Sequence, residues 1–160
     1  MKKLVIISDT HGSAKGVDSV RGLIAENDYC IHLGDGAGDM RTLWGEYPDK
    51  IYVVQGNCDF FSPYPTEGEL EIEQIKIFYT HGHTYGVKSG LGRLALEAKR
   101  RGCEIALYGH THRASIDEID GVTLINPGSL KLPFGKGGSY CYLVVNGKKL
   151  TPVIVGESVL

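Results

Sequence analysis

The stretch Leu4-Val5-Ile6-Ile7-Ser8-Asp9-Thr10-His11 holds the unit from which most of this chain is built. A short β-branched run, the signature of a strand, ends directly in side chains that bind cations or move protons. Working outward, the same juxtaposition recurs. Tyr29 to Leu33 is followed by Gly34-Asp35, and Ile51 to Val54 by Gly56-Asn57-Cys58-Asp59. Ile75 to Tyr79 leads to His81-Gly82-His83, and Ile105 to Tyr108 to Gly109-His110-Thr111-His112. Between the first two runs Val17, Val20 and Ile24 recur at i, i+3, i+7. Before the last, Ser89 precedes Leu91, Leu94, Ala95 and Ala98 at i, i+3, i+4, i+7. Both segments read as amphipathic helices, the second closed by Gly102 at C′ after the cationic turn Lys99-Arg100-Arg101. Strands alternating with helices predict a sheet with helices packed on it.

The last third changes character, because its strands are separated only by turns. Asp120-Gly121 joins Ala114 to Ile119 with Val122 to Ile125, and Asn146-Gly147 joins Tyr140 to Val145 with Leu150 to Val155. Both dipeptides suit type I′ turns, so a second, more antiparallel sheet is expected there. Two mainly mixed sheets face to face with helices outside make a four-layer α/β/β/α sandwich, an α/β fold. No linker, repeat or low-complexity stretch divides the chain, and a single domain over residues 1–160 is expected.

Composition narrows the function. A chain of 160 residues buries about 70 % of its unfolded surface and folds on an ordinary apolar core. The 17 Lys and Arg against 19 Asp and Glu give a net charge of −2, with no basic run longer than Lys99-Arg100-Arg101, which argues against a large nucleic-acid interface. No apolar stretch is long enough to span a bilayer, and the run after Met1-Lys2-Lys3 is too short for a signal-peptide core, so a cytoplasmic protein without membrane contact is expected. Cys30, Cys58, Cys103 and Cys141 have no C-x-x-C spacing, which argues against a Cys-rich zinc site or a disulfide scaffold. The 22 glycines imply many tight turns.

In an open α/β sheet the carboxyl ends of the strands form the ligand crevice, so the five polar loops would converge there. Asp9, His11, Asp35, Asn57, His81, His110 and His112 are seven oxygen and nitrogen donors, too many for one four-coordinate ion and suited to two ions sharing a bridge. Asp35, with two carboxylate oxygens and a preceding glycine, is the candidate bridge. The donor set suits Mn²⁺, Fe, Zn²⁺ or Ni²⁺ without thiolate, with Mn²⁺ the expected cofactor. Gly34-Asp35-Gly36-Ala37-Gly38-Asp39 is not a dinucleotide loop, since Asp39 stands where that pattern needs glycine. His32, inside an apolar run, reads as structural.

The motifs D-x-H at Asp9 to His11, G-D at Gly34-Asp35, G-N-C-D at Gly56 to Asp59, T-H-G-H at Thr80 to His83 and G-H-T-H at Gly109 to His112 resemble, in order, those of the calcineurin-like metallophosphoesterases, within them the YfcE-type small phosphodiesterases. The resemblance implies that one metal takes Asp9, His11, Asp35 and His112, and the other Asp35, Asn57, His81 and His110. It also implies the four-layer fold, and Asn126-Pro127-Gly128-Ser129 looks like the turn after a late strand in the same subgroup. Many superfamily members have histidine where this chain has Cys58, and that residue contacts the scissile phosphate, so Cys58 is a catalytic candidate set against a plain packing role. His83 is a second, as a phosphate contact or a brace for the ligands.

The expected activity is metal-dependent hydrolysis of small or exposed phosphodiesters by a hydroxide bridging two divalent ions, with Asp35, Asn57, Cys58 and His83 the catalytic set. Four positive charges from the ions, less two from Asp9 and Asp35 and one from hydroxide, leave one, which matches a diester monoanion. The alternatives are a phosphomonoesterase or protein phosphatase on the same centre, and a non-catalytic scaffold of the retromer-subunit type. In Phe60-Phe61-Ser62-Pro63-Tyr64-Pro65 the three aromatics suit a homodimer or higher homo-oligomer contact better than stacking on a leaving group.

Overall fold

The computed structural model describes residues 1–131 and 138–156; residues 132–137 and 157–160 of the expected 1–160 unit lie outside the described residues. The strands among them are β1 (Lys2–Ile7), β2 (Tyr29–His32), β3 (Ile51–Val53), β4 (Glu67–Ile72), β5 (Ile75–Thr80), β6 (Ile105–Leu107), β7 (Ser115–Ile119), β8 (Val122–Asn126), β9 (Ser139–Asn146) and β10 (Lys149–Gly156). The helices are α1 (Ala14–Asp18), α2 (Arg21–Glu26), α3 (Arg41–Glu46) and α4 (Gly92–Arg100). One sheet has the order β10-β9-β1-β2-β3 and the other β4-β5-β6-β8-β7, both mixed. None of these helices is long and apolar enough to cross a membrane.

Strand alternation builds the layers. Leu4 and Ile6 of β1 face the space between the sheets with Ile31, Ile77, Ile105, Leu107 and Leu143. Val5 and Ile7 point the other way, onto Val17, Val20, Ile24 and Met40. Across the second sheet, Phe78, Ala106 and Leu124 pack on Leu94, Ala95 and Ala98 of α4. Three apolar cores between four layers make the expected α/β/β/α sandwich. A strand buried on both faces must be apolar throughout, which is why β1 and β6 read as unbroken runs.

Several local expectations are corrected. The two late hairpins do not share a sheet: β7–β8 edges the second, whereas β9–β10 joins the first beside β1. Asn146 pairs with Lys149, so Gly147-Lys148 forms the turn. Only Gly147 of that pair has a positive φ, 62°, which excludes type I′. Asp120 and Gly121, at φ 51° and 82°, do have the type I′ signs. The helix expected through Val17, Val20 and Ile24 is two short helices, because Ser19 Oγ bonds back to the Gly16 carbonyl at 2.6 Å and Val20 leaves helical geometry; all three apolar residues remain buried. The N-cap of α4 is Leu91, the first residue of the expected apolar pattern. Gly102, at φ 72°, closes α4 as expected: its N–H reaches the Lys99 carbonyl at 3.0 Å and that of Cys103 the Ala98 carbonyl at 2.9 Å, a Schellman pair. Strand β4 had no apolar run to announce it, since Glu67, Glu69 and Glu71 alternate along an edge, and the turn into β5 uses Glu73 at φ 54° without glycine.

Parallel pairing sends the ends of β1, β2 and β3 to one edge, and of β5, β6 and β8 to one edge of the second sheet. The Leu130 N–H donates to the Ser8 carbonyl at 3.0 Å and the His110 N–H to Asp9 Oδ2 at 3.1 Å, so the two edges are adjacent.

Candidate metal centre

Six of the seven expected donors meet at that edge in two triads. In the first, His112 Nε2 is 3.2 Å and His11 Nε2 3.5 Å from Asp9 Oδ1, and the two nitrogens are 3.1 Å apart. In the second, His81 Nε2 is 3.2 Å from both Asp35 Oδ2 and His110 Nδ1. His11 Nε2 stands 4.0 Å from Asp35 Oδ2, which places Asp35 between the triads.

These spacings pass a direct test of fit to a cation. Two ligands bound about 2.1 Å from one ion stand roughly 3.0 to 3.4 Å apart. Asp9 Oδ1 is buried with no hydrogen-bond partner, an arrangement that costs free energy unless a cation meets it. His81 Nδ1 lies 2.7 Å from the Leu33 carbonyl and therefore carries the proton, leaving the Nε2 lone pair facing Asp35 and His110. The donors are carboxylate and imidazole, the chemistry of a divalent transition metal.

The backbone is bent to aim them. Asp9, His11, Asp35, His110 and His112 have φ of 55°, 47°, 57°, 71° and 63°, left-handed values that cost an L-residue roughly 1 to 2 kcal/mol each. Hydrogen bonds hold the loops in place: the Asp9 N–H donates to the Gly34 carbonyl at 3.0 Å, the His11 N–H to the Asp35 carbonyl at 2.9 Å, and Ser129 Oγ to the Asp9 carbonyl at 2.7 Å. Gly34, at φ 97°, and Gly56 let the second and third loops close; a Cβ on Gly56 would stand 2.9 Å from Asp35 Cγ.

Two residues that motif reading left without a role do much of this work. Asp59 Oδ2 accepts the N–H groups of Asp35 at 2.7 Å and Gly56 at 2.8 Å, and its Oδ1 those of Gly36 at 2.9 Å and Ala37 at 3.1 Å. The signal was an Asp just past a turn glycine, where a carboxylate collects local N–H groups. Asn126 donates to the Gly109 carbonyl at 3.1 Å and to Thr111 Oγ1 at 2.9 Å, pinning the loop that carries His110 and His112. His32 is structural as read: fully buried, it accepts the Gly34 N–H at Nδ1 and donates from Nε2 to Thr10 Oγ1, both at 3.0 Å, while Thr10 donates to Asp39 at 2.5 Å.

Electrostatics follow from this packing. Burial would raise the Asp35 pKa, but a hydrogen bond from His81, available when its ring is doubly protonated, and the Cys58 N–H outweigh it and hold the carboxyl far below its usual range. Burial would lower the His81 pKa, and Asp35 and Asp9 turn that into a rise. Burial and then His81 push the His83 and His110 pKa values down.

The remaining expected residues sit around the triads. Asn57 is exposed and hydrogen-bonds Cys58 Sγ at 3.6 Å rather than any member of either triad. Cys58 Sγ lies with ligand atoms of His11 and Asp35, all within 4.8 Å of one another, and desolvation and then the Asp35 charge raise its pKa. His83 Nδ1 is buried without a partner, its ring 5.4 Å from that of His81. The aromatic segment divides: Phe60 and Phe61 are 81 % and 105 % exposed, whereas Tyr64 packs edge-on against Trp44 and onto the helix-side core.

The calcineurin-like phosphoesterase superfamily domain matches residues 1–148. A probable metallophosphoesterase of Bacillus subtilis (strain 168), YsnB, is 35 % identical over 133 residues, 81 % of this chain and 76 % of that protein. Phosphodiesterase YfcE of Escherichia coli (strain K12) is 28 % identical over 87 % of this chain and 84 % of its own. A crystal structure from Streptococcus pneumoniae TIGR4, of a predicted phosphoesterase, superposes with a TM-score of 0.82 at 27 % identity, covering 98 % of this chain and 90 % of that one. The superfamily match takes in every loop that carries a triad residue: this chain belongs to the calcineurin-like phosphoesterase superfamily, a family of metal-dependent phosphoesterases.

Proposed function

We propose that this protein hydrolyses phosphodiesters with two divalent cations, one held by Asp9, His11 and His112 and the other by His81, His110 and Asn57, with Asp35 shared. The observation that carries the reading is the pair of triads at metal-ligand spacing, with the buried and unpartnered Asp9 Oδ1 in one of them. The likeness to a phosphodiesterase over most of both chains supports the choice of diester.

Bound there, the ions would acidify a water molecule and polarise the phosphoryl oxygens. The chain's own groups do the rest. Asp35 keeps its negative charge with the help of the Cys58 N–H, which donates to its Oδ1 at 2.8 Å. The Leu33 carbonyl fixes the His81 tautomer. His83 Nδ1, buried and free of any protein partner, is the group we assign to a phosphoryl oxygen, and its depressed pKa keeps the imidazole neutral, so that one ring nitrogen carries the proton it donates. Asn57 is exposed beside Cys58, and its amide oxygen is the donor we assign to complete the second set.

The test is metal analysis together with a comparison of bis- and mono-p-nitrophenyl phosphate on manganese-loaded protein. Two ions per chain and faster hydrolysis of the diester are expected. One ion or fewer in fully active protein overturns the binuclear assignment, and faster hydrolysis of the monoester overturns the choice of diester.

A further inference from the structure

A phosphodiester has two arms, and two cavities near the triads differ in their lining. On the Cys58 side a cavity of about 410 Å³ is walled by Phe60, Phe61, Pro63 and Tyr64 and has no cation in its lining. A second cavity, of about 470 Å³, is lined by Val87, Lys88, Tyr108, Thr111, Arg113 and Ser115. We infer that this second cavity is a subsite for an additional anionic group, a phosphate or carboxylate carried on one arm of the substrate; the inference rests on the phosphoesterase reading above and narrows its substrate class.

Three observations support it. The cavity and the metal centre share one loop, in which His110 and His112 belong to the triads while Thr111 and Arg113 line the cavity. Thr111 is one residue, about 3.8 Å between Cα atoms, from each histidine, which sets the cavity next to the metal-binding loop. Second, the cavity has donors to spare. Thr111 Oγ1 accepts from Asn126 Nδ2 at 2.9 Å and from the Arg113 N–H at 3.2 Å, which uses its lone pairs and leaves its own proton to donate. Lys88 and Arg113 are exposed, and neither has a carboxylate within ion-pair distance among the described residues. The nearby acid, Asp117, accepts the Ser115 hydroxyl and keeps its charge, so Lys88 and Arg113 set two positive charges against one negative. Third, the site is built on a firm floor: Val87 and Tyr108 are buried in the core beneath α4. Two cations and a free hydroxyl above an apolar floor suit a phosphate or carboxylate, with the Arg113 fork able to take two oxygens at once.

The test uses binding as well as turnover. Thymidine 3′,5′-bisphosphate and thymidine 5′-monophosphate are titrated calorimetrically into manganese-loaded protein and into the Lys88→Gln/Arg113→Gln double variant at fixed ionic strength. The bisphosphate is expected to bind at least tenfold more tightly to the natural protein, and the ratio to fall below threefold in the variant. A ratio near one in the natural protein, or a tenfold ratio that survives both substitutions, overturns the subsite. The p-nitrophenyl ester of thymidine 5′-monophosphate separates the two readings. Hydrolysis of this ester with a binding ratio near one removes the subsite alone. No hydrolysis with the ratio intact removes the diester reading and leaves the anion subsite standing.

Discussion

Replacing Asp59 by Asn changes one atom and should weaken both the fold and the metal centre. In the native protein the two carboxylate oxygens accept four backbone N–H groups from the second and third loops. An amide keeps one oxygen; whichever way it is turned, its NH₂ faces two N–H donors that lose their acceptor. Each hydrogen bond to a charged acceptor contributes about 1.5 to 3 kcal/mol, so two lost bonds amount to about 3 kcal/mol at the low end, the end appropriate to a half-buried site that water can reach. With a urea dependence of about 2 kcal/mol per molar, the unfolding midpoint should fall by roughly 1.5 M. Because the same bonds position the Asp35 backbone, manganese affinity measured by calorimetry should fall at least tenfold. Urea unfolding of the metal-free protein isolates the first effect from the second. A midpoint within 0.3 M of the natural protein, with metal affinity within threefold, would refute the role assigned to Asp59.

Three further predictions follow from the same geometry. Burial pushes the His32 pKa down to about 4 from 6.5, so the folded state resists protonation that the unfolded chain accepts; the stability this confers is complete above pH 6.5 and lost as pH falls toward 4. That loss is about 3 kcal/mol, and the difference in pH dependence between the natural protein and His32→Gln, both without metal, measures it; equal falls in the two proteins would exclude His32 as the cause. Asp35→Asn should abolish turnover and lower metal stoichiometry while the circular dichroism spectrum is unchanged, since an amide oxygen can still accept the Cys58 N–H; a lost spectrum would make Asp35 chiefly structural. Cys58→Ala should retain diesterase activity within about tenfold, or ~1.4 kcal/mol of barrier, because a thiol whose pKa is raised is a weak proton donor; a hundredfold loss on both activated and unactivated diesters would show direct participation.

How much of this could be read without coordinates depended on the range of the interaction. Apolar runs such as Leu4 to Ile7 and Ile105 to Tyr108 announce buried strands because a strand between two layers must be apolar on both faces, and that property resides in the residues themselves. The candidate ligands were legible by repetition: one carboxylate or imidazole after a strand serves as readily as a cap or a structural hydrogen bond, whereas five such loops in order point to the strand-end crevice. Gly102 closing α4 is equally local. Tertiary structure alone decided the rest. Strand β4 exists through its pairing with β5, since its three glutamates hide the pattern, and the two late hairpins were sorted to different sheets by contact with β6 for one and with β1, at the other end of the chain, for the other. The positive φ angles of five donors, the unpartnered Asp9 oxygen and the four N–H groups gathered by Asp59 also arise only when loops distant in sequence close on one another. Residue type proposes which side chains can bind a metal; the closing of those loops decides the spacing, and spacing of about 3 Å between donors is what turns them into a site.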